Sequence, residues 1–267
     1  MGGLGSKIVI YGGARFLEKA LPFLVLPVLS TLVSEADFGK FILFQTIFIL
    51  FGYISQFGSE SKYAVDFDGV DQLDKTLHSQ AFSFYTSVLS FMLSTLLYYC
   101  FRDFSFENDI NMTILVVFNL ALLFRSWLRI RLVHYQFEKQ PIRFGKLQTF
   151  NSLLKNALSL VFVVLLNHWH GMVYGLALGN FISVILNERL RDFLSIKLSL
   201  KLVKPYLKYG FPIALNGLCG WLITSSSKII VSSNLGAEIL ANFGIIALAQ
   251  VIMMLFGEVL STAFIPE

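Results

Sequence analysis

Charge is what this sequence has least of. Only 14% of its residues are Asp, Glu, Lys or Arg, against about a quarter in soluble domains, which excludes a water-soluble fold with an ordinary polar surface. Cysteine is scarce as well. Cys100 and Cys219 are the only two, too few for a disulfide framework and without the companions a metal site needs; both read as small membrane residues. Between Asn156 and Asn187 there is no charged residue at all. Missing, too, are the short alternating segments of a membrane β-barrel and the cleavage site that would make MGGLGSKIVIYGG a secretory leader.

What is present is apolar: 55% of the residues, with a mean hydropathy of +0.69. The apolar residues come in runs near the roughly 20 residues that a helix needs to cross a bilayer. Charge-poor runs cover Ile8–Val33, Phe41–Phe57, Ser79–Phe101, Ile110–Phe124, Leu147–Leu166, Met172–Asn187, Tyr209–Leu235 and Ile239–Ala263. The fifth and sixth are parted only by Asn167-His168-Trp169-His170-Gly171, which reads as the turn of a helical hairpin. The expected fold is all-α, a polytopic membrane protein of about eight transmembrane helices.

Two of these runs repeat each other. FGKFILFQTIFILFG (Phe38 to Gly52) and FGIIALAQVIMMLFG (Phe243 to Gly257) share Phe, Gly, Leu, Gln, Ile, Leu, Phe and Gly in register. The first opens the second helix and the other lies in the eighth, so the repeat unit is six helices. An even number returns the chain to the same side, which predicts parallel halves. A six-helix bundle over 1–200 is then followed, over 201–267, by the first two helices of a second bundle.

The Lys and Arg residues set the orientation. One set of loops holds Lys7, Lys62, Lys75, Arg125, Arg129, Arg131, Lys139, Arg143, Lys146, Arg189, Arg191, Lys197, Lys201, Lys204 and Lys208; the other holds Lys40 and Arg102. Both termini are therefore expected in the cytoplasm. The outward loops are short, and DFDGVDQLDK (Asp66 to Lys75) reads as a solvated inner loop that lacks the glycine and closing glutamate of a calcium-binding loop. The segments Arg125–Lys146 and Arg189–Lys208 alternate cations with apolar and aromatic residues, the pattern of amphipathic helices on an anionic inner leaflet. Nucleic acid is not an expected partner. His168 and His170 flank Trp169 in a short turn and suit an interfacial aromatic belt better than a metal site.

Four cations fall inside the apolar runs: Arg15, Lys19, Lys155 and Lys228. A charge at the bilayer centre costs at least about 2.5 kcal/mol, so each must face a cavity or partner, or snorkel to an interface. At 3.6 residues per turn, Arg15, Glu18 and Lys19 share one helix face. Glu18 would partly neutralise its neighbours and leave a net positive stripe. Pro22 and Pro27 interrupt the same run, which permits a bend.

Three stretches carry a family resemblance: YGGARFLEKALPFLVLPVLSTLVSEADFGKF (Tyr11 to Phe41), WLRIRLVHYQFEKQPIRFGKLQ (Trp127 to Gln148) and LKYGFPIALNGLCGWLITSSSKIIVSSNLG (Leu207 to Gly236). They resemble bacterial polysaccharide exporters of the O-antigen flippase (Wzx) type, in the multidrug/oligosaccharidyl-lipid/polysaccharide exporter superfamily. The resemblance covers about the first two-thirds of such a protein. It implies two six-helix bundles around a central cavity; the sequence is then a fragment, the product of a truncated gene, or a chain whose missing helices a second copy or another chain supplies. One departure concerns the seventh run, where many relatives have an acidic residue before the basic position and this chain has Ser227 before Lys228.

The implied function is a flippase of the bacterial inner membrane. It would move a lipid-linked oligosaccharide, an undecaprenyl-pyrophosphate O-antigen unit, from the inner to the outer leaflet. No covalent chemistry, cofactor or metal is expected, and polysaccharide assembly enzymes and membrane lipids are the expected partners. Arg15, Glu18, Lys19, Lys155 and Lys228 would line the cationic lumen, with Arg15 where lipid II flippases place a cavity arginine. The alternatives are a cation-coupled drug exporter of the same superfamily, which would favour acidic cavity residues, and an inactive remnant. A membrane glycosyltransferase or polymerase would need larger outer loops.

Overall fold

The computed structural model describes the backbone of residues 4–68, 72–101, 111–187 and 200–264, and the side chains of 9–68, 74–100, 111–187 and 203–247. Among the described residues the chain forms helices only. They are α1 (Leu4–Leu32), α2 (Glu35–Gln56), α3 (Ser59–Val65), α4 (Gln72–Phe101), α5 (Met112–Phe137), α6 (Pro141–Leu166), α7 (His170–Asn187) and α8 (Leu200–Phe264). In lipid every backbone polar group must be satisfied within its own segment, and long apolar runs meet that demand as helices.

Among the described residues six segments are long and apolar enough to cross a membrane: Glu35–Gln56, Asp74–Cys100, Met112–Phe137, Pro141–Leu166, His170–Asn187 and Val203–Ala247. The last holds 45 residues, the length of two crossings. Its helix breaks at Gly236, whose φ of 87° and ψ of 175° belong to a region that only glycine occupies freely. The expected turn after Leu235 is therefore a single-residue kink. α1, at 29 residues, is long enough to span but too charged to qualify by composition, because Arg15, Glu18 and Lys19 fall in its middle.

Several expectations are corrected. α1 runs as one helix through Pro22 and Pro27, so the prolines do not interrupt it. The turn at Ser34–Asp37, expected as an outward loop, is largely helical: the Asp37 amide donates to Ser34 Oγ at 3.1 Å, and Glu35 and Asp37 occupy the first turn of α2, where acidic groups suit the helix dipole. Arg125–Lys146 is no separate surface helix. It is the end of α5 and the start of α6, joined by a turn in which Lys139 has a φ of 57°. The expected inner loop Asp66–Lys75 ends in helix, because Gln72–Lys75 form the first turn of α4, and it is preceded by the short helix α3, which follows the left-handed pair Phe57 and Gly58. The second basic segment lies for the most part outside the described residues.

The described residues group into two compact units. One holds Met1–Phe44, Leu132–Gly179 and Ser227–Glu267, the other Gln45–Arg131 and Asn180–Ser226. In the first, α1 packs along α6, with Tyr11 edge-on to Phe144 at 5.0 Å. The two copies of the repeat also meet there. A methyl group on Gly244 of the second copy would overlap Ile42 of the first, and one on Gly39 would overlap the Ala237 carbonyl just before the second copy. The remaining repeat side chains from Leu248 to Gly257 lie outside the described residues.

The second unit is held by hydroxyls along α4. Thr76, Ser79, Ser83, Thr86, Ser87, Ser90 and Ser94 recur at steps of three or four residues, apart from the adjacent Thr86 and Ser87, and are all buried. Ser79 Oγ pairs with the Tyr206 hydroxyl at 2.7 Å, Ser83 donates to Ser126 at 2.6 Å, Ser55 and Ser87 pair at 2.6 Å, and Asn119 donates to Ser94 at 3.0 Å. Small side chains let helices approach, and polar ones bond across the gap where burial of apolar surface gives little drive.

Candidate functional site

The first unit contains a polar seam where α1 meets α6. On α6, Gln148, Asn151 and Ser152 are buried; Lys155 and Ser159 continue the same arc of the helix, given 3.6 residues per turn, but meet α7, where Ser159 donates to the Met172 carbonyl at 3.2 Å. This helix is polar on its buried side and apolar on its exposed side, the reverse of a soluble helix. On α1 the matching residues are Tyr11, Arg15 and Glu18, one turn apart.

Arg15 is the charged centre of the seam. Its Nη1 donates to Glu18 Oε2 at 3.1 Å, and its guanidinium stands over the Phe144 ring at 5.4 Å from the centroid. The side chains of Arg15 and Glu18 are only 13% and 19% exposed. The ion pair and the cation–π contact stabilise a charge that the surroundings would otherwise expel. The helical spacing sets the first contact and tertiary packing supplies the second. The Tyr11 hydroxyl, Gln148 Oε1 and Ser152 Oγ are buried without a hydrogen-bond partner among the described residues. Buried polar atoms of that kind bind water or a ligand's hydroxyls when these are at hand.

Lys155 is fixed by glycine packing. Gly171, Gly175 and Gly179 of α7 face Phe162, Ser159 and Lys155 of α6 in antiparallel order, and a Cβ on Gly179 would come within 2.6 Å of the Lys155 Cα. So close an approach needs glycine at each turn. Lys19 is half-buried on α1. Lys228 is half-buried on α8 and, among the described residues, has neither ion-pair nor hydrogen-bond partner. The structure thus joins Arg15 directly to Glu18 and packs Lys155 against Gly179 of α7, while Lys228 stands on a separate helix of the same unit.

Sequence reasoning missed Tyr11, Gln148, Asn151 and Ser152. Their signal was available as polar residues three or four apart inside an apolar run. It missed the α4 hydroxyls for the same reason: only charge was followed. His168 and His170 do lie beside Trp169, their rings 4.2 Å apart, and Trp169 packs on Phe44 at 5.5 Å, a structural hairpin turn. No cluster of three or more metal-ligating side chains occurs among the described residues.

A family model described as polysaccharide biosynthesis protein matches residues 4–266. The chain belongs to the polysaccharide biosynthesis protein family. Membership extends over nearly all of this sequence, so the charged seam, the glycine-packed hairpin and the kinked α8 are all parts of a polysaccharide biosynthesis membrane protein. No curated protein and no solved structure matches the chain.

Proposed function

We propose that this polysaccharide biosynthesis protein is a flippase that carries a lipid-linked oligosaccharide across the bacterial inner membrane, with both termini in the cytoplasm. The observation that supports this most is the Arg15 guanidinium, held by Glu18 over Phe144 in a helix of membrane-spanning length. A guanidinium grips phosphate oxygens in pairs, and a pyrophosphate-linked sugar presents such oxygens beside many hydroxyls. Gln148, Asn151 and Ser152 offer matching amide and hydroxyl groups along the same seam. Binding is non-covalent: the head group passes along the polar seam while the prenyl tail stays in lipid. Lys228 and Lys155 act as further point charges along the route, and Lys19 lies at the edge of the stripe.

Deleting the gene in its own host and following lipid-linked units and surface polymer tests this reading. Loss of surface polymer with accumulation of lipid-linked units, restored by the wild-type chain, is expected. Arg15→Ala, present at the same level, should restore at least about tenfold less, the loss of roughly one charge-assisted contact. Unchanged surface polymer in the deletion strain would refute the proposal, and full restoration by Arg15→Ala would remove Arg15 from the site.

A further inference from the structure

The exposed side of α6 has a composition of its own. At 3.6 residues per turn, Arg143, Lys146, Phe150, Leu153 and Val161 fall within about 80° of one another, opposite the polar seam. Phe150, Leu153 and Val161 are 42%, 51% and 52% exposed, so no described residue of the first unit covers them. Arg143 and Lys146 are exposed at the head of this stripe, and Lys139 is exposed in the turn just before it. None of the three cations has an ion-pair partner among the described residues. The one carboxylate beside them, Glu138, is engaged by His134 at 3.3 Å and by Gln140 at 2.6 Å.

From Arg143 to Val164 the stripe runs about 32 Å at 1.5 Å per residue, close to the roughly 30 Å thickness of a hydrocarbon core. Positive charge is confined to one end of it. We infer that this face is a binding site for an anionic membrane phospholipid, whose phosphate is held by Lys139, Arg143 and Lys146 while an acyl chain lies along Phe150, Leu153 and Val161. The charges match in sign, the guanidinium can take two phosphate oxygens at once, and an acyl chain suits a continuous, uncharged and exposed ridge. A soluble anion would use the cations but not the ridge. A zwitterionic lipid would use the ridge and carry no net charge for the cations. This site is independent of the seam and of what the seam carries.

Native mass spectrometry of the full chain in detergent, titrated with dioleoyl phosphatidylglycerol or dioleoyl phosphatidylcholine, tests it. Each surface cation accounts for about a fivefold change in affinity for an anionic lipid, so wild type should bind the glycerol lipid at least about tenfold more tightly. The variant K139Q/R143Q/K146Q should bind both lipids alike, while K204Q/K208Q, which removes two exposed cations elsewhere, should keep the preference. No preference in wild type, its survival in the triple variant, or its equal loss in the K204Q/K208Q variant would each overturn the site. Should the triple variant lose its helical circular dichroism, a wild-type salt titration decides. A preference that persists well above the physiological 0.15 M is not held by charge, and the site is then rejected.

Discussion

Arg15 and Glu18 illustrate how far a single helix can be read. Their spacing of three residues places them on one face, and the structure closes the pair at 3.1 Å. That the guanidinium also covers Phe144 could not be read, because the partner lies on another helix and nothing in the spacing connects them. A pair this poorly exposed makes a specific prediction. Arg15→Ala removes the guanidinium from its pair with the Glu18 carboxylate and should destabilise by about 1–3 kcal/mol, less than the 3–5 kcal/mol of fully buried pairs. The double variant R15A/E18A should recover part of that loss. Thermal unfolding in detergent measures both, and a double variant no more stable than the single one would contradict the pairing. Gly236 makes a second residue-scale prediction. Its φ of 87° is strained for any side chain, so Gly236→Ala should cost about 1–3 kcal/mol although open space surrounds it.

Elements rather than residues explain the hairpin and the hydroxyl column. Gly175 faces the backbone of Ser159 so closely that a Cβ would overlap it; Gly175→Val should therefore force α6 and α7 apart and lower the yield of folded protein, read by gel filtration in detergent. Gly13, which has nothing near its missing Cβ, is the control, and Gly13→Ala should be tolerated. On α4, the Ser83–Ser126 bond should show a coupling of about 0.6 kcal/mol, the average for such bonds in membrane proteins, in a double-mutant cycle with alanine. Element type was legible because apolar length decides helix in a bilayer. Boundaries were less so. α5 continues to Phe137 through Arg125, Arg129 and Arg131 because packing accepts them: Arg125 stands over Phe48 at 5.3 Å and Arg129 reaches Glu60 at 3.2 Å. Counting charges in the sequence ended the run at Phe124.

At the scale of the whole molecule the orientation is the open prediction. Fifteen loop cations on one side against Lys40 and Arg102 on the other place Lys139 inside and His168 outside. Single cysteines at these positions, in a background with Cys100 and Cys219 replaced, should react with an impermeant thiol reagent from opposite sides of the membrane. Labelling from the same side would mean that the helix count between them is wrong. The sequence by itself determined the all-helical class, the membrane setting, the α6–α7 hairpin and the charged face of α1, because each follows from composition or from spacing within one helix. Only tertiary structure decided that α1 lies along α6, that the two copies of the repeat touch where Gly244 meets Ile42, and that α4 is joined to its neighbours by hydroxyls. Those contacts join residues far apart in the chain, where a position's chemistry restricts its partners but does not select one. Close packing makes that selection.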